Sequence, residues 1–216
     1  MKVKLIMSTP EIQIGEMAKI CYASKEFAEG GKDITSSIVH GNGHLASLRF
    51  AYATLSIEGI SVACQNQFIR SPHLSYMVQS KRYVNADKGE FEFIMPIGID
   101  EVSAITMKKS WDQALHDYQN ILNLGTKKED ARAILPANTS TKMNATGNLQ
   151  AWNDFFKLRL NAHAQTEIRN VANEIYTLLS VEFPQVFTKE HKLNLEEGEL
   201  QRVKKELSEL KKKFNG

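Results

Sequence analysis

The chain has 216 residues, of which 42% are hydrophobic and 24% are charged, and its formal net charge is +2. Such a chain can bury a substantial core, and its charge is too small to predict bulk binding to nucleic acid. Apolar runs are short and the amino terminus turns polar too soon for a secretory signal, so we expect a cytoplasmic protein with no membrane span.

Hydrophobic periodicity predicts strands and helices that follow one another in the first half of the chain. A strand comes first, then a helix, a Gly-rich surface loop, a short helix, a second strand and a further helix. In this order the predicted elements span residues 1–7, 10–23, 24–35, 44–51, 52–57 and 59–69. The proline at position 72 ends the last of these helices, which places Arg70 at a helix end.

The second half is predicted to be mainly helical. A strand with alternating apolar residues precedes two helices, and Thr146-Gly147-Asn148 supplies the start signal for one long helix. These four elements span residues 91–95, 100–124, 127–135 and 149–178.

The carboxyl terminus differs in character from the rest of the chain. Its apolar residues recur at alternating steps of three and four, which is a short heptad seam, at Leu200, Val203, Leu207, Leu210 and Phe214. The seam favours a helix packed on its own chain or on a second subunit over a frayed tail. We predict a single domain over residues 1–190 and a C-terminal amphipathic helix within residues 191–216.

Residues 67–83 concentrate groups that bind phosphate. Gln67 and Arg70 are three residues apart and would face the same way on the predicted helix. Ser80 and Arg82 follow in a non-helical stretch, where backbone N–H groups, a hydroxyl and a bidentate guanidinium suit an oxyanion. The segment predicts a local anion site, with a solvated helix end as the alternative.

Other polar groups are less specific. On the predicted long helix, Arg159, His163 and Glu167 are spaced to line one face, which could turn to a ligand or form a salt-bridged surface. His40 and His44 are separated by glycines and have no third ligand nearby, so no metal site is predicted. Neither a Walker loop nor a Gly-x-Gly-x-x-Gly turn occurs.

The anion segment resembles the signature of the flavin-dependent thymidylate synthases. That signature reads Arg-His-Arg followed by spaced Ser, Ser and Arg, and Arg70, Ser75, Ser80 and Arg82 fall on it. Further blocks resemble the family in the same order, at residues 43–48, 57–61, 131–136, 146–152 and 158–168. Order and spacing agree across roughly residues 10–185.

The resemblance implies an α+β fold with a mixed central sheet flanked by helices, and a homotetramer whose active sites lie between subunits. FAD would lie beside dUMP, which would be methylated at C5 with methylenetetrahydrofolate as carbon donor and NADPH as electron source. Residues placed on dUMP by the resemblance are Gln67, Arg70, Gln79, Ser80, Lys81, Arg82, Lys142 and Arg159. Of these, Arg159 and Ser80 are the candidate catalytic residues: the guanidinium would polarise the uracil carbonyls, and the hydroxyl would orient the substrate without acting as a nucleophile.

The flavin side departs from the family pattern. Residues placed on FAD are His44, Ser47, Ser71, His73, Asn148, Gln150, Asp154 and His163. However, the His and second Arg of the signature are Ser71 and Pro72 here, a family Glu is Arg49, a family Arg is Gln150, and the Arg expected to reach the phosphate from a neighbouring subunit is Lys142. Each lost charge-assisted hydrogen bond is worth about 1.5–3 kcal/mol, so FAD binding is expected to be weaker.

Two alternatives follow from these departures. One is a divergent enzyme that keeps the pyrimidine nucleotide and hydroxymethylates or methylates C5 with less use of the flavin. The other is a paralogue that binds nucleotide without catalysis. The choice between uracil and cytosine as the base stays open at this point.

Overall fold

The computed structural model describes residues 1–22, 34–41, 43, 45–84 and 91–195. It contains a four-stranded sheet in the order β1-β2-β4-β3, so the predicted mixture of helices and a central sheet is confirmed. The strands are β1 Lys2–Ser8, β2 Tyr52–Ser61, β3 Ser75–Val78 and β4 Ser140–Asn148. The α-helices are α1 Ile12–Lys19, α2 Val62–Phe68, α3 Glu101–Asn123, α4 Lys128–Ala131, α5 Leu149–Arg159 and α6 Thr166–Glu182.

Shorter helical turns complete the described chain. They are 3₁₀ turns at Ile20–Tyr22, Leu45–Phe50 and Arg132–Ile134 and a π-helical turn at Ser37–Gly41. Residues 189–195 are also helical. The heptad positions from Leu200 onward and most of the predicted loop over 24–35 lie outside the described residues. None of the described helices is long and apolar enough to cross a membrane.

The chain forms two compact units. One comprises Met1–Lys4 and Thr54–Thr146, and the other comprises Leu5–Ala53 and the described residues from Gly147 onward. In the first unit, Phe91, Trp111, Tyr118 and Ala131 form a buried cluster under α3. The indole N–H of Trp111 donates to Thr139 Oγ1 at 3.1 Å, which satisfies the polar atom that this side chain carries into the core.

The core of the second unit is aromatic and joins α5 to α6. Phe156 packs edge to face on Tyr176 and Phe187, with ring centroids 4.9 and 5.4 Å away. The indole N–H of the buried Trp152 donates to the carbonyl of Ala53 at 3.1 Å. Such pairs contribute about 0.5–1.5 kcal/mol each beyond the area that they bury, so this cluster fixes the carboxyl end of α5.

The predicted helix over 59–69 begins later than expected, because β2 continues through Ser61. Gly59 lies within that strand at φ +69°, and a Cβ there would come within 3.2 Å of the Met1 backbone nitrogen. Only glycine combines this backbone angle with such a close approach. The helix begins at Val62, where Ser61 Oγ accepts the N–H of Cys64 at 3.0 Å.

The predicted single helix over 149–178 was wrong, since two helices occupy this stretch. Asn148 is the N-cap of α5, as the start signal indicated, and its Oδ1 accepts the N–H of Ala151 at 2.8 Å. The helix ends at Arg159 because Asn161 turns its side chain onto the backbone N–H of His163, at 2.7 Å. An Asn that bonds locally offers the backbone an alternative to the helix.

Two strands were missed and one was predicted wrongly. The strand β4 occupies residues that were read partly as a helix start, and β3 pairs with it antiparallel, with Ser75 opposite Thr146 and Val78 opposite Met143. In the predicted strand over 91–95 only Phe93 pairs, in an isolated bridge to Thr139. The segment is held by the burial of Phe91 in the core of the first unit and by two backbone bonds, from Ile94 N–H to the Asn138 carbonyl at 2.9 Å and from Ser140 N–H to the Glu92 carbonyl at 2.8 Å.

Candidate functional site

The first half of the anion segment is a turn fixed at both ends. Helix α2 ends at Phe68, so Arg70 lies exposed beyond the helix end and does not share a helical face with Gln67. The hydroxyl of Tyr76 donates to the carbonyls of Phe68 and Ser71, at 2.8 and 3.0 Å. This closes the turn and buries Ser71, although the residue beside it, Pro72, is exposed.

The second half of the segment borders an open cleft of about 400 Å³. Gln79 continues the pairing of β3, since its N–H donates to the carbonyl of Lys142 at 2.9 Å. The carbonyl of Ser80 then accepts the N–H groups of Tyr83 and Val84, which turns the chain away from the sheet. The residues lining the cleft are Val62, Gln65, Val78, Gln79, Ser80, Lys81, Arg132, Leu135 and Pro136.

Lys81 is a half-buried cation at this cleft. Its Nζ donates to the carbonyl of Ser140 at 3.4 Å and lies 5.0 Å from the centre of the Phe91 ring. Burial lowers the pKa of Lys81 from 10.5 to about 8. The carbonyl and the ring favour the charged form, but they do not replace the water that the ammonium has lost.

Arg82 is held by a carboxylate next to the cleft. Its Nε and Nη2 donate to Glu129 Oε2 at 3.1 and 2.7 Å. The backbone carbonyl of Glu129 accepts a further hydrogen bond, from Nε of Arg132 at 3.1 Å. Ser80 Oγ accepts the backbone N–H of Arg82 at 3.3 Å, which fits an orienting hydroxyl. Lys81, Arg82 and Arg132 thus place positive charge around this part of the first unit.

The structure brings only some of the predicted nucleotide residues to this cleft. Gln79, Ser80 and Lys81 line it, whereas Arg82 does not line it and is linked to the lining residue Arg132 through Glu129. Gln67, Arg70 and Lys142 are not among the residues that line it. Lys142 is exposed on β4, and Gln67 is half-buried in the last turn of α2.

Three of the predicted flavin residues lie at the start of α5 in the second unit. The carboxamide oxygen of Asn148 caps the helix, while Gln150 Nε2 donates to Asp154 Oδ1 at 3.0 Å. Asp154 also forms an ion pair with Lys157, at 3.1 Å. Gln150 Oε1 is buried and has no hydrogen-bond partner among the described residues.

The expected stripe of Arg159, His163 and Glu167 does not exist, because the helix breaks between its members. Arg159 is half-buried at the last position of α5, His163 is exposed in the turn, and Glu167 lies in the first turn of α6. A cation at the end of a helix suits the negative end of the helix dipole. Of the three residues, only Arg159 lies on α5, where the helix could present its guanidinium to a ligand.

The remaining flavin candidates are spread over both units. Ser47 is buried in the 3₁₀ turn of the second unit, and His44 lies outside the described residues. His73 is exposed in the first unit. Ser71 is 4% exposed, and its Oγ has no hydrogen-bond partner in the part of the chain that the structure describes.

Sequence reasoning missed Gln65, Glu129 and Arg132. Arg132 lies in the block at residues 131–136 that carries part of the resemblance, but nothing in its spacing assigned it a role. Glu129 is 47 residues from Arg82 in the chain. A contact between such distant residues leaves no periodic signal in the sequence.

The sequence matches a known protein family and individual relatives over most of its length. The model of the family described as thymidylate synthase complementing protein, Thy1, matches residues 4–185. The flavin-dependent thymidylate synthase of Geobacter sulfurreducens is 32% identical over 198 residues, which cover 87% of this chain and 85% of that protein. The flavin-dependent thymidylate synthase of Clostridium tetani is 30% identical over 213 residues, with 86% and 85% covered.

A solved structure shares the fold. Thymidylate synthase X from Helicobacter pylori, crystallised with FAD and dUMP, superposes with a TM-score of 0.74 at 20% identity. The match covers 89% of this chain and 99% of that chain. At 20% identity, this likeness shows that the two proteins share a fold.

Proposed function

The chain belongs to the Thy1 family, that of the flavin-dependent thymidylate synthases, and on this premise we propose that it methylates dUMP at C5. The carbon donor is methylenetetrahydrofolate, FAD is the cofactor, and NADPH supplies the electrons. The observation that carries the proposal is the cationic cleft, where Ser80 and Lys81 of the family signature meet Arg132.

The cleft suits a phosphate ester. Arg132 presents a planar fork of N–H donors, Lys81 a compact charge and Ser80 a hydroxyl, and an open cleft admits a ligand from solvent. Arg82, held by Glu129, adds a second fork of N–H donors close in the chain to Ser80 and Lys81. We assign the 5′-phosphate of dUMP to this group and extend the nucleotide set to Gln67, Arg70, Gln79, Lys142 and Arg159.

Arg159 is the candidate that acts on the base. Its position at the end of a helix anchored by a buried aromatic core holds the guanidinium in a defined place. A fixed guanidinium stabilises negative charge as it develops on the uracil oxygens, so C5 can act as a nucleophile without a protein thiol. Ser80 orients the substrate and does not attack it, because no base is hydrogen-bonded to its hydroxyl among the described residues.

The residues present fit a flavin in part. The buried Oγ of Ser71 and Oε1 of Gln150 have unused hydrogen-bonding capacity, which the polar edge of a flavin would satisfy. Ser47, His73, Asn148, Asp154 and His163 supply further donors and acceptors of the right kind, and His44 belongs to the same set. When bound, FAD supplies the reducing equivalents that convert the transferred carbon to a methyl group. The exposed Pro72 offers no cation for its phosphates.

The assembly and location follow the family. We propose a cytoplasmic homotetramer in which each active site lies between subunits.

Activity is tested with the full chain, FAD, dUMP, methylenetetrahydrofolate and NADPH. Formation of thymidylate by mass spectrometry, together with a bound-flavin absorbance spectrum, is the expected result. A 5-hydroxymethyl product would overturn the methylation in favour of the hydroxymethylase alternative. Binding of dUMP without any turnover would identify a non-catalytic nucleotide-binding protein.

The phosphate assignment is tested by Arg82→Ala. Because a phosphate loses a charge-assisted bidentate partner, the Kd for dUMP should rise at least about tenfold. Isothermal titration measures it, with Arg169→Ala as a control, since the Arg169 guanidinium donates to the carbonyl of Ala162 in the second unit. Equal affinity of wild type and Arg82→Ala would place the phosphate elsewhere.

A further inference from the structure

Glu129 is hydrogen-bonded to two arginines, of which Arg132 lines the cleft and Arg82 follows the lining residues Ser80 and Lys81 in the chain. Its carboxylate oxygen Oε2 accepts two N–H groups of Arg82, at 3.1 and 2.7 Å, and its backbone carbonyl accepts Nε of Arg132 at 3.1 Å. Arg132 lines the cleft, and Ser80 lines it two residues before Arg82. One residue of α4 therefore sets the orientation of two guanidinium groups.

A carboxylate beside a phosphate site can act in two opposed ways. It can compete with the phosphate for Arg82, or it can hold the fork of Arg82 in the orientation that the phosphate needs. The ion pair is partly exposed, with 51% of the Arg82 side chain and 39% of the Glu129 side chain accessible to solvent. Such a pair is weak, so it competes poorly with a dianionic phosphate.

Orientation is the stronger of the two effects. Glu129 engages Nε and Nη2, and Nη1 of Arg82 has no partner among the described residues, so N–H groups remain for a ligand. An arginine otherwise free in solvent loses side-chain entropy when it binds a ligand, and prior ordering removes part of that loss.

We propose that Glu129 is a positioning residue for the nucleotide: it orders Arg82 so that the substrate phosphate meets a preformed fork. The inference rests on the proposed function, because it assumes that the cleft receives the phosphate of dUMP.

The position allows a clean test, since Glu129 has no side-chain partner other than Arg82 among the described residues. Its removal leaves the backbone carbonyl, and so the bond to Arg132, in place. Asp130 is a matched control: it is the next residue of the same short helix, exposed, and in no ion pair with a described residue. Asp130→Asn removes the same charge from α4 without touching Arg82.

The experiment compares wild type with Glu129→Ala, Glu129→Gln and Asp130→Asn by isothermal titration of the full chain with dUMP and with deoxyuridine. Glu129→Ala should raise the Kd for dUMP about three- to tenfold and leave that for deoxyuridine unchanged. Glu129→Gln keeps an acceptor oxygen and should restore dUMP binding to within about twofold of wild type, and Asp130→Asn should bind as wild type does. Unchanged thermal unfolding of Glu129→Ala separates positioning from a structural defect.

A double-mutant cycle identifies the route of the effect. In an Arg82→Ala background, Glu129→Ala should have no further effect on dUMP affinity, because the residue acts through Arg82. Equal or tighter dUMP binding by Glu129→Ala alone, or an equal loss in both backgrounds, would overturn the inference while Arg82→Ala still weakens dUMP. If Arg82→Ala itself leaves the affinity for dUMP unchanged, the assignment of the phosphate to Arg82 is wrong, and the inference about Glu129 is overturned with it.

Discussion

If Lys81 binds the nucleotide phosphate as proposed, we expect binding to depend on pH in a range where an ordinary lysine stays fully charged. Burial lowers its pKa to about 8, and the charged residue that lines the cleft with it is Arg132. Only the ammonium form attracts phosphate. The affinity for dUMP should therefore fall as the pH rises through about 8, by at most about tenfold one unit above the pKa, because the arginines stay charged.

Lys81→Arg provides the matched comparison, because a guanidinium stays charged over the whole range. Titration of both proteins with dUMP between about pH 7 and 9 should give a falling affinity ratio of wild type to variant. A constant ratio would mean that the Lys81 charge does not face the phosphate. Changes in dUMP itself cancel in this ratio.

Adjacent site residues could be predicted from the sequence, and distant ones could not. Ser80, Lys81 and Arg82 are neighbours in the chain, so a local pattern carries them. Glu129 lies on α4, a helix of only 4 residues, and Arg132 lies in the 3₁₀ turn that follows it, and neither element is long enough to show periodicity. Their roles depend on where α4 packs, and that is fixed by tertiary structure.

At the scale of elements, strong amphipathic periodicity was sufficient for some helices and misleading for others. The helix α3 was predicted almost to its ends, because Asp100 supplies an N-cap and the apolar spacing continues for 23 residues. The break between α5 and α6 was missed because the apolar spacing continues across it. The helix ends where Asn161 Oδ1 accepts the His163 N–H, and this local bond does not interrupt the apolar pattern.

The helical residues 189–195, which follow α6, contact the aromatic core through a neutral histidine. His191 Nε2 lies 3.0 Å from Asn153 Oδ1 on α5, and its ring stacks on Tyr176 of α6 with centroids 6.3 Å apart. Burial, followed by the charges of His40 and Lys157, lowers the pKa of His191 to about 4. The ring therefore stays neutral at pH values where an exposed histidine is charged.

This pKa predicts acid sensitivity. Because the folded pKa lies below the ordinary value of 6.5, the unfolded chain binds more protons between the two values. The stabilisation is complete above about pH 6.5 and is lost as the pH falls toward about 4. Between about pH 7 and 5 we expect a loss of about 1 kcal/mol from this residue, allowing for solvent screening at a partly exposed site.

His191→Gln isolates the contribution. A glutamine amide can donate to Asn153 but does not titrate, so the difference in free energy of unfolding between wild type and variant should shrink as the pH falls. Urea unfolding at several pH values measures it. Parallel pH responses of the two proteins would show that His191 does not titrate in the folded state.

At the scale of the whole molecule, the proposed tetramer predicts where the signature segment should be buried. Met77 lies in the middle of β3, opposite Asn144, and is 78% exposed in the single chain. An apolar side chain inside a segment that forms an active site between subunits is expected to contact the neighbouring subunit. Covering it would contribute about 1.5–3 kcal/mol for each copy.

Met77→Asp should therefore disrupt the assembly, because a carboxylate at a buried contact is strongly unfavourable. Wild type should sediment as a particle of four 24.4 kDa chains, and the variant as smaller species with lost turnover. Val102→Asp is the control: Val102 is 74% exposed in the first turn of α3, outside the signature segment, where an acidic residue is compatible with the helix dipole. A Met77→Asp protein that stays tetrameric and fully active would place the subunit contacts away from β3, and the sites between subunits would then have to be built from other residues.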